Sequence, residues 1–219
     1  MKQMKQMEGW WWPDMANERH VRFSLTRIKS LQAVLKYWKR TRSVIQAGGS
    51  YGVWPKMLAK KYDNVYTFEP DAVSFRCLCR NCPEKNIHAF RAALGYRKEC
   101  LTIRPKSFTA HRVIGVGATV GIRVDDIGWP RCDAILLDVE GFEPYVLQAA
   151  KSTIHTFRPL VLVEIRPEMF KFYGLKDGAC ESFMENMGYI EVANIQCDKI
   201  FVHHLEMKHW KRPLDGKGK

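Results

Sequence analysis

Short apolar runs alternate with amphipathic stretches along most of the chain, and the alternation predicts strands and helices in turn. The runs at 44–47, 64–68, about 86–91, 134–137 and 160–164 have the length and bounding turns of strands buried on both faces. Between them, 52–62, 71–81, 142–150 and about 177–187 read as helices. Runs near 189–194 and 198–204 are joined too closely for a helical crossover, so they are expected to pair antiparallel. A more β-rich stretch covers about 99–124. Ahead of this series, 24–40 suits an amphipathic helix. Leu25, Ile28, Leu31, Leu35 and Trp38 recur near helical spacing, with Lys29, Lys36, Lys39 and Arg40 on other faces. Strands separated by helices imply an α/β fold, a mostly parallel sheet covered on both faces, with no interdomain linker.

The candidate chemistry gathers where these strands end, because ligands of open sheets lie beyond the carboxyl ends of the strands. Gln46-Ala47-Gly48-Gly49-Ser50-Tyr51-Gly52 closes the first strand in a glycine turn that opens a helix. Glycine lets the backbone turn sharply and approach a ligand closely, and the helix offers free N–H groups at its start. About twenty residues on, the second strand ends in Glu69-Pro70. An acid at that place can accept hydrogen bonds from both hydroxyls of a ribose. Asp138, Glu140 and Glu164 stand at the ends of later strands. One such carboxylate often just caps a helix; a convergent set points to a site. The pattern implies a nucleoside-containing cofactor. NAD is the nearest rival, but its Gly-x-Gly-x-x-Gly spacing is absent, since the turn holds Gly48, Gly49 and Gly52.

Composition and charge adjust this picture. A chain of 219 residues, 46% apolar, is expected to form one α/β domain at 43–204. A basic extension at 1–42 would carry the Trp-rich segment and the amphipathic helix, and 205–219 would be a basic tail. The net charge of +12 sits at the ends, with +7 over 1–43, +4 over 199–219 and +1 between them. Such ends would favour an anionic substrate, nucleic acid or an acidic membrane surface, or would serve only as solvated tails. Trp10-Trp11-Trp12 is expected to pack over the domain, with lining a substrate pocket as the alternative. No apolar run approaches the ~20 residues that span a bilayer, and residues 1–7 lack the apolar core of a secretory signal. Seven scattered cysteines fit a reduced, cytosolic setting better than a disulfide framework. Cys77-x-Cys79-x-x-Cys82, with His88 beyond, falls on a predicted helix where such residues diverge, so no metal site is expected.

At Asp138-Val139-Glu140-Gly141-Phe142-Glu143 the chain resembles the FkbM-type family of S-adenosylmethionine-dependent methyltransferases. The family shows an Asp-x-Gly-Ala-Asn-x-Gly turn, then Phe-Glu-Pro, then Asp-Val-Glu-Gly-x-Glu. Here the turn is the stretch 46–52, and Phe68-Glu69-Pro70 follows at the matching distance. Arg91-Ala92-Ala93-Leu94-Gly95 looks like the segment after the third strand, and Arg123-Val124-Asp125-Asp126-Ile127 like a Leu-Asp-Asp-Leu segment. Residues 158–164 resemble the later strand ending in glutamate. The similarity spans roughly 43–203. The Trp11-Trp12-Pro13-Asp14 opening also looks like that of small bacteriophage-encoded methyltransferases, for which the setting would be the host cytoplasm.

The resemblance implies a class I, Rossmann-like fold with a seven-stranded, mostly parallel sheet and one antiparallel strand, and S-adenosylmethionine as cofactor. Gly48, Gly49, Ser50 and Gly52, continuing the Gln46-Ala47 strand end, would wrap the methionine part. Glu69, with Pro70, would hold the ribose; Arg91 and Ala92 would border the adenine; Asp138 and Glu140 would face the sulfonium and the acceptor. The implied reaction is methylation of a hydroxyl on a small molecule or glycan. Asp138 or Glu140 would take the acceptor's proton, with His88, His111 and His155 less well placed. The alternatives are an RNA methyltransferase, for which no Asp/Asn-Pro-Pro-aromatic tetrapeptide is present, and a non-catalytic binder. Two departures bear on the last: Gln46 stands where the family has Asp, and Leu136 where it has Lys two residues before the motif's Asp.

Overall fold

The computed structural model describes residues 4–105 and 111–211. Met1-Lys2-Gln3 and the basic tail from Arg212 onward lie outside the described residues, as does the His111 side chain. An antiparallel hairpin of β1 (Met4–Met7) and β2 (Trp10–Pro13) precedes α1 (Glu18–Leu35). Then β3 (Ser43–Ala47), α2 (Val53–Leu58), β4 (Asn64–Phe68), α3 (Ala72–Asn81) and β5 (Ile87–Phe90) alternate. A β-rich insertion follows: β6 (Ala93–Leu94), β7 (Cys100–Pro105), β8 (His111–Val116) and β9 (Thr119–Ile122). The chain continues through β10 (Ala134–Leu137), α4 (Glu143–Ala149), α5 (Lys151–Phe157), β11 (Leu160–Glu164) and α6 (Pro167–Phe170). It closes with α7 (Ala179–Asn186), β12 (Tyr189–Ile195) and β13 (Asp198–His203).

Seven strands form one sheet in the order β12-β13-β11-β10-β3-β4-β5. The β11-β10-β3-β4-β5 pairings are parallel, and β13 runs antiparallel to both of its neighbours. The chain moves outward from β3 to β5 and then returns to β10 on the other side of β3. That reversal is the topological switch point, where adjacent strand ends splay into a crevice. The insertion makes a second sheet, β6-β9-β7-β8.

Strict alternation along the central strands divides the core into two apolar layers. Val44, Val65, Ala134, Leu136, Leu160 and Leu162 face Val21, Leu31 and Leu35 of α1 and Leu58 of α2. Ile45, Ala47, Ile135, Leu137, Val161 and Val163 face Val146 and Leu147 of α4, Ile154 of α5 and Met184 of α7. Both layers are fully desolvated, as a sheet covered on both faces requires. Among the described residues no helix is long and apolar enough to cross a membrane.

The structure differs from the sequence expectation at the first helix, after α4, at the tryptophan run, and at α2, which ends at Leu58 where a helix to 62 is expected. The first helix begins six residues early, at Glu18, because the Asn17 side chain accepts the His20 N–H at 3.1 Å and caps it. It ends at Leu35, since Trp38 is held in a β-bridge with Trp210. The helix expected at 142–150 stands as α4, and the difference there is a further helix, α5, which follows it across Ala150. The tryptophan run is a strand. Trp12 is fully buried edge-to-face on Tyr51, and its indole N–H donates to the Met7 carbonyl at 3.2 Å.

Candidate functional site

A cavity of about 370 Å³ opens beyond the carboxyl ends of β3, β4 and β10, at the switch point. Backbone hydrogen bonds lock the strand ends that form it. Gly48 and Gly49 N–H groups both donate to the Phe68 carbonyl, at 3.1 and 3.0 Å, and Asp138 N–H donates to Ala47 at 3.2 Å. Gly48 has φ +83°, and a Cβ there would lie 1.9 Å from the Asp138 carbonyl oxygen. Only glycine lets the β3 turn pass so close to the β10 end. Two other wall residues, Ser50 and Glu140, hold φ of +46° and +59°, a conformation that side chains other than glycine rarely adopt. Such strain tends to gather at functional sites.

Glu69 is the best-defined group in the cavity wall. It is 5% exposed, and its two carboxylate oxygens accept the Ser50 N–H at 2.7 Å and the Asp71 N–H at 2.8 Å. Burial raises its pKa to about 7 against the opposing pull of those two hydrogen bonds. On the β10 side, Asp138, Val139 and Glu140 line the cavity, and the Val139 N–H donates to Glu143 at 2.8 Å. Glu143 lies outside the lining, 1% exposed, and burial followed by the charges of Glu164 and Glu140 raises its pKa to about 8. From the end of β11, Arg166 reaches the wall and donates to Glu164 at 2.8 Å. Burial works against its charge, but Glu164, Glu140 and Asp138 outweigh that and raise its pKa.

Of the sequence-predicted residues, Ala47, Gly48, Gly49, Ser50, Glu69, Pro70, Asp138 and Glu140 converge on this cavity. Gln46, Gly52, Arg91 and Ala92 do not line it. Gln46 is fully buried within the sheet, and Gly52 packs where a Cβ would meet Cys82 Sγ at 2.5 Å. Arg91 is exposed and Ala92 lies in the core; the neighbouring Ala93 and Leu94 form the wall instead. His88 stacks on Tyr66 and bonds Asn64, and His155 is exposed on α5; neither lines the cavity. Sequence reasoning missed Phe23 and Ser24 of α1, Trp54 of α2, Ile103 and Val113 of the insertion, Phe142, and Arg166. Arg166, two residues past a strand end, carried a signal. The others reach the wall through tertiary packing that no local pattern encodes. Along α3, Cys77 is buried and Cys79 exposed, and among the described residues no group of three or more His, Cys, Asp or Glu could hold a metal ion.

The strand order and crevice define the class I, Rossmann-like methyltransferase fold. The profile of the FkbM methyltransferase domain matches residues 46–191, and the chain belongs to that family. No curated protein matches it in sequence. Among solved structures, magnesium protoporphyrin IX methyltransferase (ChlM) from Synechocystis PCC 6803, with bound S-adenosylmethionine, superposes with TM-score 0.53 at 12% identity over 86% of this chain and 85% of that one. The N-methyltransferase NodS from Bradyrhizobium japonicum WM9 gives TM-score 0.50 at 12% identity, covering 85% and 96%. A methyltransferase FkbM from Methylobacillus flagellatus KT gives 0.49 at 14%; this chain covers 55% of that one, with 85% of its own residues aligned.

Proposed function

We propose that the chain binds S-adenosylmethionine in this cavity and methylates a hydroxyl on a small molecule or glycan. The observation that carries the reading is Glu69, a buried carboxylate at the switch point, beside the glycine turn. Each of its oxygens accepts one backbone N–H and keeps a lone pair for a ribose hydroxyl. Gly48, Gly49 and Ser50 would hold the methionine part, and Pro70, Ala93 and Leu94 the base. The cavity lies in the size range of small cofactor sites. Bound there, the cofactor supplies an activated methyl group on a cationic sulfonium.

The chain's own residues would do the rest. Asp138 and Glu140 favour the bound cation, and one of them takes the proton of the acceptor hydroxyl. Trp54, Ile103, Val113 and Phe142 would exclude water around the reacting groups. Isothermal titration calorimetry with S-adenosylmethionine, S-adenosylhomocysteine and NAD tests the cofactor. Micromolar binding of the two adenosyl compounds without NAD is expected. Glu69→Ala should weaken that binding about tenfold or more, the loss of a charge-assisted pair of hydrogen bonds, while circular dichroism stays unchanged. Undiminished affinity in a folded Glu69→Ala protein would count against the ribose assignment.

A further inference from the structure

Two basic segments, far apart in sequence, meet at the amino edge of the large sheet, the end opposite the cavity. β3, β4, β10 and β11 start there, at Ser43, Asn64, Ala134 and Leu160, and antiparallel β13 finishes there at His203. The segment after α1 is bonded to the segment after β13. Lys39 N–H donates to the His209 carbonyl at 3.1 Å, Lys211 N–H donates to the Tyr37 carbonyl at 3.0 Å, and Trp38 bridges Trp210. The chain just past α2 joins them through Lys61, whose amine donates to the carbonyls of Leu35 and Trp38. The basic stretches at 36–42, 60–61 and 208–211 are therefore one surface.

Lys36, Lys39, Arg42, Lys60, Lys208 and Lys211 are exposed on it. The acids in or bonded to these segments are Asp63, Asp133 and Glu206. Asp133 is buried between Arg40 and Arg131, and Glu206 pairs with Arg40 and His209, which leaves Asp63 as the exposed acid. The positive field is felt locally: burial, and then the charge of Lys39, draws the Lys61 amine down to about 8. Within the joined segments the one exposed large apolar side chain is Leu205. A membrane-seeking surface needs an apolar stripe beside its cations, which this face lacks.

We propose that this face binds the phosphate backbone of a nucleic acid, at a site separate from the cavity by about one strand length, roughly 17 Å. The test is fluorescence anisotropy of the full chain with a labelled single-stranded RNA of about 20 nucleotides, the matching DNA strand and its duplex. Micromolar binding is expected at about 50 mM salt. It should fall with salt at a log–log slope of about −3 to −4 on single strands, for four to six contacted phosphates. The three probes separate RNA from DNA as the source of the backbone. The triple variant Lys36→Ala, Lys39→Ala, Lys208→Ala should weaken binding about tenfold or more and make the slope shallower by about 2. A charge-matched control, Lys98→Ala, Lys171→Ala, Lys176→Ala, changes exposed lysines elsewhere and should leave both within about twofold. Glu69→Ala should bind nucleic acid as the parent does. Absence of binding, equal losses in the two triple variants, or capture by phosphatidylserine vesicles without RNA or DNA binding would each overturn the proposal.

Discussion

Gln46 and Leu136 are neighbours. The parallel register sets Leu136 beside Gln46 and Gln46 beside Thr67, and all three are fully buried. The Gln46 carboxamide oxygen accepts the Thr67 hydroxyl, and its amide donates to the Ala47 carbonyl. The family's Asp and Lys at these two positions would therefore form one adjacent pair of opposite charges inside the sheet. Gln with Leu replaces the whole pair by a neutral one, which a core tolerates far better than the loss of one partner. Along the sequence the two departures stand ninety residues apart and read as separate losses; across the sheet they are one exchange. Gln46→Asp and Leu136→Lys should each cost about 3 kcal/mol or more in urea unfolding. The double variant should recover about 1–2 kcal/mol of the summed loss. Strictly additive losses would show that the two positions do not share a pair. The glycines carry a similar lesson. Sequence attributes Gly48 and Gly49 to ligand approach, but the atoms a Cβ would strike belong to Asp138, Leu78 and Thr67. The turn is shaped by the strand ends it passes between, and the cavity follows from that.

At the level of elements, the central strands were legible because apolar runs four or five residues long, bounded by turn residues, have few other places to go. β10 and β11 fall where the runs at 134–137 and 160–164 predict. Strand order is another matter: nothing local says that β10 returns beside β3, and the resemblance implies the kind of sheet without its order. The hairpin at the start was hidden because Trp10-Trp11-Trp12 shows no polar alternation. It is held by Asn81, a 5%-exposed residue near the end of α3. The Asn81 carboxamide accepts the Trp11 N–H at 2.7 Å and donates to the carbonyls of Trp11 and Tyr51, each at 2.8 Å. One side chain thus ties the hairpin to α3 and to the turn that lines the cavity. Asn81→Ala leaves three backbone groups unmatched and should cost about 2–3 kcal/mol, with a red-shifted tryptophan emission as the hairpin loosens. Asn81→Asp keeps the acceptor and loses both donors, so it should do comparable damage. Unchanged emission in both variants would mean that Trp12 burial alone seats the hairpin.

For the whole molecule, buried acids decide how stability follows pH. The native pKa values of Glu69, raised to about 7, and Glu143, raised to about 8, both lie above the unfolded value of 4.5, with burial the leading cause. In that window the native state holds protons that the unfolded chain has released, so stability falls as pH rises through it. Asp133 acts in the opposite sense. Burial opposes its charge, but the Arg131 hydrogen bond, the Arg42 N–H and the Arg40 charge outweigh burial and lower its pKa. Its contribution is full above about 3.8 and is lost as pH falls through its lower native value. His203, lowered by burial and then by His204, likewise withdraws stability below about 6.5. The melting temperature should therefore peak near pH 4–4.5, between the Asp133 and glutamate windows, and decline toward pH 8 with His203 offsetting part of the fall below about 6.5. Glu143→Gln keeps an acceptor for the Val139 N–H and removes the titration, so it should flatten that decline. The proposed cofactor pulls the other way at Glu69, because ribose hydroxyls bind the carboxylate and not the acid. About a tenth of Glu69 is ionised at pH 6 and about nine-tenths at pH 8, so S-adenosylmethionine should bind about tenfold more tightly at pH 8. Calorimetry across that range, with thermal melts of the parent and Glu143→Gln, checks both arms. An affinity independent of pH would remove Glu69 from the ribose site, and an unflattened decline would remove Glu143 as its source.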